Sequence, residues 1–220
     1  MPLKKNKISV KVKGSSVQAK PFSILRPSWT DMQRHYPSES KKTLLLYSEI
    51  GGRIPQYKTQ ADLEASAYVN SCAIRMSRGL NLSGVKLPKA ISAHGNLVGG
   101  DHKNYWIRVI DLKKWLINNL GRPDVEEEGG IGIVSKFKGR HGIVLFDVVG
   151  WGDASGHFTI WDGTDLSYVG NAVHNDPTNN KYYYFNMNYQ AKNSIGGLAI
   201  NRDGSPHQII TTTIRLWELK

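Results

Sequence analysis

Ile8, Val10 and Val12 alternate in an arm or a lysine-guarded edge strand; the domain then reads as helices first and strands after them. In "RPSWTDMQRHYP", Ser28 or Thr30 stands where a cap opens a short helix that includes Met32. "QADLEASAYVNSCAIRMSRGLNLSG" predicts a helix in two pieces. In the second piece Ala73, Met76, Ser77 and Leu80 share one face, Arg75 and Arg78 lie off it, and Asn81 and Gly84 end it. "DLKKWLINNLGRPD" predicts a third helix, capped by Asp111. Leu112, Trp115, Leu116 and Leu120 form its buried stripe, Gly121 stops it and Pro123 follows.

The second half reads as strands. "HGIVLFDVVGW" is a continuous apolar run of strand length and predicts a central strand. "SGHFTIWDGT" alternates and ends in an Asp-Gly turn, with "SYVGNAV" as the returning strand of a hairpin. "HQIITTTIRLWEL" predicts a closing β-branched strand. Helices followed by an antiparallel sheet give an α+β class. A basic extension over 1–24, with Lys4, Lys5, Lys7, Lys11 and Lys13, precedes a single domain over 25–220.

A chain of 220 residues buries a core without staples, and one cysteine excludes both a disulfide scaffold and a cysteine-rich zinc site. The net charge of +11 points to an anionic partner such as nucleic acid, anionic lipid or an acidic polymer like cell wall. No apolar run approaches the ~18 residues of a membrane span, so no membrane insertion is expected. No signal-type apolar region follows the N-terminus. The expectation is synthesis in the cytoplasm and export only by a route that needs no cleavable signal.

The single thiol is the first candidate for chemistry. Cys72 follows Asn70-Ser71 and opens the second helical piece, where free N–H groups and the macrodipole favour a thiolate. Such placements bring a thiol pKa from about 8.5 into the ~3.5–7.5 range. Read alone, Cys72 is more often a small buried hydrophobe. His157 begins a strand after a Gly/Ser-rich approach whose small residues leave room for substrate. A cysteine on a helix followed by a histidine on a strand is the chain order of papain-like cysteine hydrolases.

"NSCAIRMSRGLNLSGV", "YWIRVIDLKKWL", "GRHGIVLFDVVGWGDASGHFTIWDG" and the terminal "LWEL" together resemble the fourth family of type VI secretion amidase effectors, over roughly residues 26–163 plus the C-terminus. The resemblance implies a papain-like cysteine hydrolase fold, with Cys72 as nucleophile and His157 as base. It implies cleavage of the bond between γ-D-glutamate and meso-diaminopimelate in the peptidoglycan stem peptide, with no cofactor and no metal. It implies delivery by type VI secretion components into the periplasm of rival bacteria, and a cognate immunity protein that blocks the site.

The chain departs from that pattern in two ways, one being that it has none of the cysteines that relatives often carry around an acid on the returning strand. The family carries a carboxylate eleven residues past the histidine, and here that residue is Tyr168, which cannot hold an imidazole by charge. Asp162 lies roughly 16 Å along the strand from His157 and is out of reach. With "DGTDL" as the loop, Trp161 faces Ser167 and His157 faces Asn171. Asn171 is therefore expected to orient the histidine through its amide oxygen, with Asp165 as second choice.

The chemistry expected is attack by the Cys72 thiolate on the amide carbonyl, with the Cys72 main-chain N–H as one oxyanion donor and hydrolysis of the acyl-enzyme by water. A transglutaminase-like acyltransferase on the same fold is the alternative enzyme. A basic nucleic-acid-binding module with an inert cysteine is the alternative from another class, and no nucleic-acid-binding motif supports it. Weaker signals are read structurally. "GGIGI" at 129–133 is a connector, because no Lys-Ser/Thr follows. His94, Asp101 and His102 match no strong metal spacing and read as a groove wall. "KYYYFNMNY" reads as an aromatic strand.

Overall fold

The computed structural model describes residues 26–56, 71–152, 154–170 and 183–220. The basic extension, the first helical piece from Gln60 and the Asn171 position lie outside the described residues. The elements in chain order are α1 (Trp29–His35), α2 (Thr43–Ile50), α3 (Cys72–Leu82), β1 (Asn96–Val98), β2 (Asn104–Trp106), α4 (Val109–Asn119), β3 (Val125–Glu128), a 3-10 turn (Ile133–Lys136), β4 (Gly142–Val149), β5 (Gly156–Trp161), α5 (Tyr183–Asn186), β6 (Asn188–Gln190) and β7 (Gln208–Glu218). The α+β class expected from the pattern is the one observed.

Strands β3, β7, β4 and β5 lie side by side in that order, all antiparallel, and β6 pairs with the other end of β7 from β3. β4 is central, as its unbroken apolar run predicts, because both of its faces are covered. Ile143 and Leu145 pack with Phe158, Ile160 and Trp217 under the helices. Val144, Phe146 and Val148 pack on the opposite face with Trp161, Tyr184 and Phe185. Burial of each such large side chain contributes about 1.5–3 kcal/mol. Among the described strands β5 ends the order β3-β7-β4-β5, and α3 lies against it.

The ends are tied together. The main-chain N–H of Trp29 donates to the carbonyl of Lys220 (2.7 Å), and Arg26 reaches the carbonyls of Leu120 and Glu218 and the carboxylate of Asp124.

Several expectations are corrected. Ser28 does cap α1, accepting the Asp31 N–H. Asp111 does not cap α4. The helix begins at Val109, which is buried, and Asp111 in its first turn instead accepts the Ser92 hydroxyl. The face assignment of α3 is incomplete: Ala73, Met76, Ser77 and Leu80 are buried as expected, but Ile74 and Arg75 are buried too. Here the helix is packed against α1 and α2 as well as the sheet, so it has no solvated face at Arg75. Of "SYVGNAV", the described residues Ser167 to Gly170 do not form a strand, and the rest lies outside the described residues. Asp162 accepts the N–H groups of Thr164 and Asp165 (2.7 Å each) in a tight turn, and pairing stops after one bridge, Trp161 with Leu166. The expected facing of Trp161 with Ser167 is therefore displaced by one residue. The 183–190 stretch is a short helix followed by a strand, not one strand.

Candidate active site

α3 opens without a side-chain cap. Ser71 sits in helical backbone geometry, and its hydroxyl is engaged elsewhere, by Arg75 Nε (3.0 Å) and by the Tyr168 hydroxyl (2.9 Å). Cys72 is the first helical residue, and its thiol abuts β5, where the Phe158 N–H reaches it. Cys72 is 4% exposed. Burial pushes its thiol up from the ordinary value, against the N–H groups of Phe158 and Ala73, the charge of Arg75 and its own N–H. Burial thus works against the depressed pKa expected from a helix start. Desolvation of the charged form outweighs the partial charges of the first turn.

His157 precedes Phe158 on β5 and is buried, at 5% exposed. Strand alternation turns it toward the aromatic layer, where its ring stacks on Tyr184 (4.3 Å between centroids, 5° between planes) and on Tyr168 (5.5 Å, 29°). The Gly/Ser-rich approach does not leave the imidazole in open space, because aromatic residues distant in sequence fill it. Nε2 of His157 donates to the main-chain carbonyl oxygen of Tyr168 at 2.8 Å.

Tyr168 is therefore the residue that joins the two candidates. Its N–H donates to the Thr159 hydroxyl (3.0 Å), its carbonyl holds the imidazole and its hydroxyl meets Ser71, the residue before Cys72. The Arg75 guanidinium carbon lies 4.0 Å from its ring centroid. The neighbouring chain is pinned from outside: the Glu39 N–H donates to the Ser167 carbonyl (2.7 Å), and the Val169 N–H donates to the Glu39 carboxylate (2.8 Å). Tyr36 adds its hydroxyl to the Phe158 carbonyl (3.4 Å).

The structure places Cys72 against the residue that follows His157, and links both through Tyr168. Asp165, the second choice for orienting the histidine, sits in the hairpin turn with its N–H on Asp162. Asn171 lies outside the described residues. Sequence reasoning missed the Tyr168 carbonyl, because a main-chain acceptor leaves no mark in residue type. It also missed Arg75, whose place three residues after Cys72 was its one signal. Asp101, considered for a metal, instead accepts the Tyr105 hydroxyl and an Arg78 N–H; among the described residues no group of three metal-ligating side chains gathers.

Residues 68–217 match the family model of Tae4, described as type VI secretion system (T6SS) amidase effector protein 4. The chain belongs to the Tae4 family. Solved Tae4 structures resemble it along most of its length. Tae4 of Enterobacter cloacae has 25% sequence identity and a TM-score of 0.59, over 90% of this chain and 100% of that one. Tae4 of Salmonella typhimurium, bound to the immunity protein Tai4 of Enterobacter cloacae, has 25% identity and a TM-score of 0.60, over 89% and 100%. The Tae4–Tai4 effector–immunity complex of Enterobacter cloacae matches at 24% identity and a TM-score of 0.60, over 89% and 99%, which speaks to fold alone. No curated protein sequence matches the chain. As a Tae4 family member the chain is an amidase effector of type VI secretion, and no helix among the described residues is long and apolar enough to cross a membrane.

Proposed function

We propose that this chain is a papain-like cysteine amidase that cuts the γ-D-glutamyl–meso-diaminopimelate bond of peptidoglycan stem peptides, with Cys72 as nucleophile and His157 as base. The observation that carries the reading is the placement of the thiol, at the start of α3 and against β5 one residue from an anchored imidazole. A carbonyl oxygen only accepts, so the proton on Nε2 stays with Tyr168 and Nδ1 is the nitrogen assigned to proton exchange with sulfur.

The buried thiol rests protonated in this scheme. As sulfur attacks the amide carbonyl, its proton passes to His157, a C–S bond forms and the carbonyl oxygen takes negative charge, met by the Cys72 main-chain N–H. The imidazolium then gives the proton to the leaving amine of diaminopimelate as the C–N bond breaks. Water attacks the thioester with His157 as base, the C–S bond breaks, the imidazolium returns its proton to the sulfur, and the γ-carboxylate of D-glutamate is freed. The Tyr168 carbonyl holds the ring through both steps.

The same reading extends the relatives' partnership to this chain. A cognate immunity protein of the Tai4 kind covers the site in the producing cell, and type VI delivery brings the enzyme to the periplasm of a target. The family match supports neither acyl transfer nor nucleic-acid binding.

Digestion of purified Gram-negative sacculi with mass analysis of the fragments tests the proposal. Wild type is expected to split muropeptides after D-glutamate, and Cys72→Ala to leave them whole. Fragments from Cys72→Ala, or cleavage at another bond by wild type, would overturn it.

A further inference from the structure

Arg75 carries a full positive charge into the interior at 1% exposure. Its five N–H donors all find oxygen. Nε donates to the Ser71 hydroxyl, one terminal nitrogen to the carbonyls of Pro37 (3.0 Å) and Ser38 (2.9 Å), and the other to the Lys41 carbonyl (2.7 Å) and the Thr43 hydroxyl (3.1 Å). Among the described residues no carboxylate forms an ion pair with it, although every acceptor it has is neutral. Glu39 feels the guanidinium charge without forming an ion pair with it, so a charge satisfied by neutral dipoles is not neutralised by direct contact and retains a field around it. Residues three apart on a helix are neighbours, so that field falls on Cys72, one turn earlier.

We infer that Arg75 is a positioning residue for the cysteine chemistry: its guanidinium supplies the positive potential in which the Cys72 sulfur ionises, and its hold on Ser71 and Tyr168 keeps sulfur and imidazole in register. The inference rests on the assignment of Cys72 and His157 above. Groups of several elements face the thiol. α3 contributes Arg75 and the first N–H groups; β5 contributes the Phe158 N–H, with His157 beside it. The turn after α1 contributes the Tyr36 phenol, with Glu39 further along, and the segment after β5 contributes the Tyr168 phenol. Arg75 is the one permanent cation among these described groups. It acts on the sulfur through charge and on the imidazole through the Tyr168 ring, which touches both the guanidinium and His157.

A purely structural peg for the 37–43 segment predicts a different outcome, and the single cysteine makes the distinction measurable. Cysteine labelled with carbon-13 at Cβ gives one NMR signal per molecule, and its pH titration reads the thiol directly. In Arg75→Met the midpoint is expected about one pH unit or more above wild type, the size of effect a neighbouring opposite charge exerts. Iodoacetamide alkylation at a fixed pH below the midpoint slows roughly tenfold in step. Arg75→Gln, which keeps donors for the Pro37 and Ser38 carbonyls without the charge, gives the same displacement and serves where Arg75→Met does not fold. Arg75→Lys keeps the charge and is expected within about half a pH unit of wild type. Neutral variants that fold, melt earlier and titrate with wild type would overturn the inference. A displaced midpoint in an enzyme that cuts no sacculus would leave the thiol's field standing and sink the amidase reading instead.

Discussion

Nε2 of His157 and the carbonyl oxygen of Tyr168 lie 2.8 Å apart, so a main-chain acceptor orients the imidazole. The neutral ring must then carry its proton on Nε2. Nitrogen-15 NMR of His157 above its titration is expected to show the Nε2–H tautomer. A ring protonated on Nδ1 in the folded enzyme would contradict the arrangement. Asn171→Ala, which removes an amide but not this carbonyl, is expected to lower turnover by less than about tenfold.

Tyr168 separates side-chain from main-chain effects. Tyr168→Phe deletes only the hydroxyl that meets Ser71 and is expected to destabilise by about 0.5–1.5 kcal/mol, with the Nε2–H tautomer retained. Tyr168→Ala also removes the ring from between the guanidinium and the imidazole, with an expected loss of about 3 kcal/mol in chemical denaturation. Turnover should follow ring removal far more than hydroxyl removal.

Alkaline pH should destabilise the fold through Cys72. Its thiol is held above the ordinary value by burial, so from about 8.5 upward the unfolded chain releases its proton first and stability falls as pH rises. Burial pushes the phenols of Tyr36 and Tyr168 up as well, which extends the loss beyond the thiol window. Cys72→Ala lacks the thiol's share, so between pH 8 and 10 its stability should decline less steeply, by up to about 1.4 kcal/mol per pH unit. Urea denaturation of both proteins across this range is the measurement; parallel curves would refute the account.

The turn after β5 should be sensitive at Gly163. Its φ of +102° is in the left-handed region, and an added Cβ would stand 3.2 Å from the Arg140 carbonyl oxygen. Gly163→Ala is expected to destabilise by about 1–2 kcal/mol and to lower Tm by about 2–4 °C per kcal/mol. Because this turn leads directly to Tyr168, the His157 NMR signals should move with it.

Much of this arrangement is legible in the residues. The strand-length apolar run of β4 predicted a central strand, and the spacing of Leu112, Trp115, Leu116 and Leu120 predicted one face of a helix. Cys72 and His157 stand out because their chemistry is rare at such positions. The one-residue displacement after Trp161 was not legible, since it depends on how Asp162 folds the turn upon itself. Nor were α2 and β3, whose patterns are short and weakly periodic.

Sequence alone determined the helical and strand halves and the central strand, and it singled out Cys72 and His157 as candidates, because periodicity and residue type are local properties. Tertiary structure alone decided that Arg75 is buried, that the Cys72 thiol is desolvated rather than activated, and that Tyr168 holds His157 by its carbonyl. Burial and main-chain hydrogen bonding depend on which distant segments pack together, and a peptide carbonyl is the same at every position until the fold brings a donor to it.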